Sequence, residues 1–377
     1  MVALDPAALA QDRRIVLTLD AGGTSFRFNA IQGGRLLLEP LRVATAAADL
    51  SACLEQLAAG FAAVQRAVGG EAVAISFAFP GPADYAAGII GDLPNLTGFR
   101  GGVPLGPMLE ARFGLPVFVN NDGALFTYGE ALGGLLPWVN GALAAAGSAR
   151  RHRNLAGFTL GTGFGGGLVI DGRLVRGDTS TAAQVWKLRH RDERRCFVEE
   201  GVSIRAVRRA YAEGAGIAVE DAPAPKEIGA IAEGRAPGDA AAARAAFEAL
   251  GRVAGDAIAQ VLTVIDGLAV IGGGLSAAAP LFLPALLAEV NGTLEWYDGR
   301  PTPRLLMYAC DLSGAEGAAA LFGDGPVALP VVGARREVAY EAEKRTGIGL
   351  TRLGTTEATA LGAYAFALER LPCPGAA

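Results

Sequence analysis

The chain is short of histidine, cysteine and long uncharged stretches, and each shortage removes a class of function. Its two histidines, His152 and His190, and four cysteines, Cys53, Cys196, Cys310 and Cys373, are scattered. No two cysteines stand at CxxC spacing, so neither a disulfide framework nor a zinc ribbon is expected, and reduced thiols in the cytosol are the simplest reading. No window reaches the roughly 18 uncharged apolar residues of a membrane span. The opening MVALDPAALAQDRR carries Asp5 and Asp12 where a secretory leader needs an unbroken apolar core. A soluble, cytoplasmic protein is expected. A net charge of -5 argues against a broad nucleic-acid footprint.

What is present is globular. Hydrophobic residues make up 51% and charged residues 19% of 377 positions, a length that suits two domains. The 53 glycines fall in short clusters, which marks turns where backbone must approach something closely. Residues 14–19 (RIVLTL) read as a strand broken by DAGGT at 20–24, and SFRFNAI at 25–31 alternates as a second strand that leads through QGG into RLLLEPLRV. A helix is expected at 50–68, a buried strand at 72–81, and a strand PVFVNND at 116–122 followed by a helix. The pattern then restarts, with strand GFTL at 157–160, turn GTGFGGG at 161–167 and strand LVIDGRLV at 168–175. Two glycine-broken hairpins predict duplicated halves. Surface helices and loops are expected at 222–245, then a helix at 246–264, the strand and turn LAVIGGGLS at 268–276, and a last helix at 356–371.

Converging backbone N–H groups bind phosphate oxygens, and glycine permits that shape. In DAGGT, Gly22 and Gly23 allow close approach, Thr24 offers a hydroxyl, and Asp20 supplies a carboxylate for Mg²⁺ held through water. A plain turn has the same composition, so the motif alone leaves both readings open. Gly161-Thr162-Gly163-Phe164-Gly165-Gly166-Gly167 formally contains GxGxxG, but a dinucleotide site needs a helix next and a strand-like segment follows. No glycine cluster runs into Gly-Lys-Ser/Thr, so a Walker A loop is absent. A hairpin phosphate loop remains, and it occurs twice. Asp122 stands where a strand ends and a helix begins, as a helix cap or as a general base, with Asn121 beside it. Gly272-Gly273-Gly274 is either an adenine-facing turn or a tight connection.

Taken in order, these segments resemble the ROK family of bacterial sugar kinases and sugar-responsive repressors, over nearly the whole chain. The resemblance rests on DAGGT, on PGPADYAAGIIGDLPNLTGFRG at 80–101, on FVNNDGALFTYGE at 118–130, on LGTGFGGGLVIDGRL at 160–174, and on VIGGGLSAAAPLFLPAL at 270–286. It implies an α/β, two-lobed actin-like ATPase (ribonuclease H-like) fold with duplicated halves and a nucleotide cleft between lobes. It implies ATP-dependent phosphorylation of a sugar hydroxyl on a hexose or amino sugar, with ATP and Mg²⁺. By the resemblance Asp122 is the base, Asn95 and Asn121 hold hydroxyls, Gly22, Gly23, Thr24, Gly161, Thr162 and Gly163 line phosphates, and Gly273 and Gly274 border the adenosine. Family members often form dimers, though no segment here identifies an interface.

The departures concern the sugar. The family's Ala-Gly-Glu-x-Gly-His stretch corresponds to Ala182-Ala183-Gln184-Val185-Trp186-Lys187, so Gln184 and Lys187 replace its Glu and His contacts. The family's cysteine-rich zinc loop is reduced to Cys196, and no zinc site is expected. Glu199, four before Ser203, matches the remaining sugar-contacting glutamate, with Glu200 as rival. The N-terminal lobe is expected at 1–122, with the C-terminal helix 356–377 packing back, and the larger lobe at 123–355. Of two stretches similar to the family's closing helix, 312–323 and 353–368, the second is preferred. The alternative to a kinase is a non-catalytic sugar sensor without a DNA-binding domain, since only about thirteen residues precede the first strand. A third reading is an acetate-kinase-like or chaperone ATPase on the same superfold.

Overall fold

The computed structural model describes residues 6–21, 25–93, 95–321 and 325–372. They form two compact units. The first comprises residues up to Gly134, Gly167–Ala183 and the chain from Arg352 onward; the second comprises Leu135–Gly166 and Gln184–Thr351. The first unit therefore runs past the expected limit at 122 to take in the whole Asp122–Gly133 helix, and it also recruits residues 167–183.

In the first unit, strand Ile15–Ala21 pairs antiparallel with Ser25–Gln32 and parallel with Ala72–Ala78, which pairs parallel with Val117–Asn120. The strand expected from RLLLEPLRV is split by Pro40 into Arg35–Leu36 and Leu41–Ala44, both paired to Ser25–Gln32. Proline removes a ladder donor, which explains the break. Asp20 stands opposite Ala78, and Ala78 opposite Asn120. The carboxyl ends of three parallel strands thus finish in one row. The Leu50–Ala67 helix, capped by the Asp49 side chain on the Ala52 N–H at 3.0 Å, covers one face. Phe26, Phe28, Phe61, Phe77 and Phe79 interlock beneath it, fully buried.

The second unit repeats this wiring. Leu155–Leu160, Leu268–Gly272, Arg345–Leu350 and Tyr308–Asp311 lie parallel in that order, with the hairpin strand Phe164–Ile170 on the outer side of Leu155–Leu160. The turn is only Gly161–Gly163, because Gly165, Gly166 and Gly167 belong to the strand. The helix expected at 246–264 starts earlier, at Ala240, where Asp239 caps the amides of Ala241 and Ala242 at 2.9 Å. Residues 300–352 carry the exposed hairpin Val327–Pro330/Glu337–Tyr340, but they also supply two strands of the sheet, Tyr308–Asp311 and Arg345–Leu350.

The Thr355–Leu368 helix packs on Asp122–Gly133 and on the first sheet. The contact is backbone on backbone. A Cβ on Gly129 would lie 1.9 Å from the Ala358 carbonyl oxygen, and one on Gly362 would lie 2.0 Å from that of Leu125. On another side of the same helix, a Cβ on Gly167 would meet the Gly123 carbonyl oxygen at 2.5 Å. Beyond the contact, the buried Glu130 accepts the N–H groups of Arg352 and Leu353, each at 3.1 Å, and so fixes the approach to Thr355–Leu368.

Overpacking at such a contact costs about 1–3 kcal/mol or more, so Gly362→Ala is expected to lower unfolding stability by at least that amount. Gly141 lies in the Leu135–Ala145 helix with open space around it, and Gly141→Ala is expected to stabilise by about 0.5–1 kcal/mol through helix propensity. Urea denaturation of the two variants checks the opposite signs.

Candidate active site

The carboxyl ends of the first sheet's parallel strands border a pocket of about 120 Å³ lined by Asp20, Ala21, Ala78, Phe79, Pro80, Asp122, Thr355, Thr356 and Thr359. Open α/β sheets present ligand sites at this edge, outside the strand ends. Asn121, not Asp122, is the helix cap: its Oδ1 accepts the Ala124 N–H at 3.3 Å, and its Nδ2 donates to the Tyr85 hydroxyl at 3.5 Å. Tyr85 in turn donates to the Phe79 carbonyl at 3.0 Å. Asp122 is the first helical residue and is free of the capping role, its Oδ1 accepting the adjacent Gly123 N–H at 2.9 Å.

Electrostatics single out the two aspartates. Asp122 is open to solvent at its tip yet crowded by protein, and that desolvation pushes its carboxyl above the usual range; the Gly123 N–H opposes this, and the charge of Asp20 adds to it. Asp20 is also raised, first by desolvation, against the pull of Arg27, whose Nη1 is 4.0 Å away, and of a hydrogen bond from Thr356. A hard cation that keeps several waters fits beside such a pair. Among the described residues no group of three or more His, Cys, Asp or Glu could hold a metal unaided. Gly22, Gly23 and Thr24 lie outside the described residues. Asn95 is exposed in a turn and does not line the pocket.

The second unit gathers the other predicted loops at its own carboxyl edge. Gly272 stands opposite Thr159 in the sheet, so the turns at 161–163 and 273–274 are neighbours. Gly273 has φ +87°, and a Cβ there would lie 2.3 Å from the Leu160 carbonyl oxygen, so glycine is required twice over. The 161–163 loop is pinned on several atoms. The Gly161 carbonyl accepts the Ile204 N–H at 2.8 Å, the Phe164 N–H donates to Glu199 Oε2 at 2.9 Å, and Arg205 Nη1 reaches the Thr162 carbonyl at 3.5 Å. Among the described residues no protein acceptor takes the N–H of Thr162 or Gly163. Two adjacent amides in a fixed, solvent-facing loop suit a phosphate.

The Gln184–Lys187 segment is held by its own contacts. Gln184 Oε1 accepts the Trp186 indole N–H at 2.7 Å, and Lys187 Nζ sits 4.2 Å from the Trp186 ring centroid and 5.4 Å from that of Phe197. His190 Nδ1 accepts the N–H groups of Asp192 and Glu193, at 3.2 and 3.0 Å, and so closes the following turn. That histidine and Cys196 do not fit a zinc ion. A larger hollow of about 570 Å³, lined by residues such as Arg304, Leu306 and Lys344, contains none of the predicted site residues.

The sequence reasoning missed Arg205, Glu130 and the threonines Thr355 and Thr356. Arg205 left a trace, as it follows Glu199 by six and Glu200 by five in a helix-start pattern. Its partners restrain it: Nη2 is 2.9 Å from Glu199 and 2.7 Å from Glu200. Hydrogen bonds from Arg205 and Arg209 hold the Glu200 carboxyl below its ordinary range.

Comparison with known proteins identifies the family. The ROK family model matches residues 16–324. A glucokinase structure from Parabacteroides distasonis is 52% identical with TM-score 0.86, over 96% of this chain and 99% of that one. The glucokinase of Streptomyces coelicolor is 27% identical over 308 residues, which is 76% of this chain and 90% of its own. A ROK family glucokinase from Streptomyces griseus, in complex with glucose and AMPPNP, shares the two-lobed actin-like fold at TM-score 0.61 and 21% identity, over 94% of this chain and 99% of that one. The chain belongs to the ROK family.

Proposed function

We propose that this protein transfers the γ-phosphoryl group of ATP to a sugar hydroxyl, with glucose the first candidate acceptor and Asp122 the general base. The observation that carries the reading is Asp122 itself: a carboxylate on a rigid strand–helix junction, relieved of capping by Asn121, open to a pocket and raised in basicity. A base whose pKa lies nearer the working pH takes a proton more effectively. Glucose comes first because the 52% identical structure is a glucokinase.

In this reading the acceptor hydroxyl donates its proton to Asp122, while Asn121 orients a neighbouring hydroxyl. Gln184 and Lys187 border the sugar in place of the family's Glu and His. The amides of Thr162 and Gly163 hold phosphate oxygens, joined by Gly22, Gly23 and Thr24, and Gly273 and Gly274 border the adenosine. Asp20 would hold Mg²⁺ through water, and the ion would neutralise phosphate charge. Phosphoryl transfer asks for little beyond such positioning and charge stabilisation.

A coupled ADP-release assay over hexoses and N-acetylhexosamines tests the reading. Sugar-dependent turnover is expected, and Asp122→Asn is expected to lower kcat by about 10²- to 10⁴-fold. The acidic limb of kcat is expected above the ordinary carboxylate range, activity being lost as pH falls through the raised pKa of Asp122. Wild-type turnover in the variant would remove Asp122 from the mechanism. Nucleotide binding with no turnover on any sugar would instead favour a sensor.

The same shift has a stability signature. A carboxyl raised on folding costs nothing below the unfolded pKa, where both states are protonated. The cost grows as pH rises through that value towards the folded pKa, and then stays. Asp122→Asn is therefore expected to raise the melting temperature at pH 7 and to leave it unchanged near pH 3. Scanning calorimetry at the two pH values distinguishes this from a structural aspartate, whose loss would lower both.

A further inference from the structure

We infer that the hairpin Val327–Pro330/Glu337–Tyr340 and the hollow at its base form one self-association surface, whose occupant is the same surface of a second copy of this chain. All of it lies in the second unit. In the hairpin's register Val327 pairs with Tyr340 and Leu329 with Val338. Side chains directly opposite share a face, and alternate residues return to it, so these four make one apolar face. They are between 40% and 53% exposed, and no residue of either strand is buried. A two-stranded hairpin without a packed face is marginal in water, so this one calls for a cover.

The hollow continues this face. It is bounded by residues 290–292, 303–308 and 342–345, so the hairpin's second strand runs directly into its rim. Lys344 joins the two: its Nζ is 5.8 Å from the Tyr340 ring centroid, and its carbonyl accepts the Tyr308 N–H at 2.8 Å. Within the hollow Leu306 is fully exposed and Tyr308 is 58% exposed, while at the hairpin's turn Val332 is fully exposed. With the four residues of the face, these side chains present on the order of 800 Å² of mostly apolar surface. The largest patch on a typical monomer is about 300–600 Å², and each partner in a standard specific interface contributes about 800 Å².

Shape favours a second copy as the occupant. The surface holds both a protrusion, the turn at 331–336 with Val332, and a recess at the opposite end of the same hairpin. Two hairpins laid antiparallel about a two-fold axis put each turn at the other's recess, and such a contact closes at two subunits. An extended peptide would instead add to a strand edge, and the edges here are guarded. At the sheet's outer strand, Tyr308–Asp311, Asn291 Oδ1 accepts the Ala309 N–H at 2.8 Å and Nδ2 donates to the Ala309 carbonyl at 2.9 Å. In the hairpin, Pro326 and Pro330 remove donors at both ends of one strand, and the other is led by Arg335, Arg336 and Glu337. The contact is therefore one of side chains between folded surfaces.

Sedimentation velocity of the full chain over a range of concentrations tests the inference, beside Leu306→Glu and Val332→Glu. Both positions are fully exposed, so both variants are expected to fold, and circular dichroism melting curves check this. The wild-type chain is expected to associate, and each variant to weaken that association about thirtyfold or more, the scale of a lost hot spot. A halving of the assembled mass in both variants supports the surface whatever the starting mass. Mixed Val332→Cys and Leu306→Cys chains are expected to cross-link on mild oxidation, with neither variant cross-linking alone. A wild-type chain that stays monomeric at every concentration leaves the surface to a different partner and overturns the inference. An assembly that neither glutamate variant changes also overturns it, because the contact then lies on another face. Failure of the mixed pair to cross-link overturns the antiparallel arrangement.

Discussion

The packing of the Asp122–Gly133 helix against backbone on two sides is the constraint from which the position of Asp122 follows. Gly129 and Gly362 let this helix and Thr355–Leu368 approach to a distance that any side chain would forbid, and Gly167 does the same for the strand beside it. Interiors packed at this density transmit displacement and do not absorb it. Asp122 therefore inherits its position from contacts along the helix it begins. Glu130, two turns further on, ties that helix to the amides of Arg352 and Leu353, just before the threonines that share the pocket with Asp20 and Asp122.

The pocket pays for its chemistry in folding energy. Desolvation raises both carboxyls first, the charge of Asp20 adds to the rise at Asp122, and that of Glu357 adds to the rise at Asp20. Arg27 and the Thr356 hydroxyl offset this for Asp20, but Asp122 has only local hydrogen bonds. A structural role would call for a paired carboxylate instead. Groups displaced from their ordinary pKa beside a cavity are what proton transfer requires, and the surrounding helix packing is what lets the fold tolerate them.

Local signals in the sequence predicted the local features of the structure. The Leu50–Ala67 helix, the Ser25–Gln32 strand and both glycine-broken hairpins follow from periodicity and turn chemistry, and the ROK motifs located Asp122 and the 161–163 loop. Long-range contacts were not legible. Gly165 and Gly167 read as turn because a glycine run looks flexible, yet the strand needs them where Thr159 and the Asp122–Gly133 helix press close. The helix start at Ala240 was hidden by an alanine-rich stretch with no apolar period. Glu199 matched a motif position, but its partners Phe164 and Arg205 come from elements brought together only by the fold. Asn95 likewise sits at a matching motif position without lining the pocket.

One wiring recurs in the two units. In each unit an antiparallel hairpin and parallel strands deliver the functional loops to the carboxyl edge of a sheet, and the sheet interior carries no reacting group. The nucleotide-side loops are stabilised by short connections within the second unit: Gly273 on Leu160, Ile204 on Gly161, Glu199 on Phe164. The divergent segment from Gln184 to Lys187 is built on its own contacts, the indole on Gln184 and the ammonium over Trp186, and none of these reaches the 161–163 loop. The 161–163 loop therefore keeps its anchors independently of the contacts made within the Gln184–Lys187 segment.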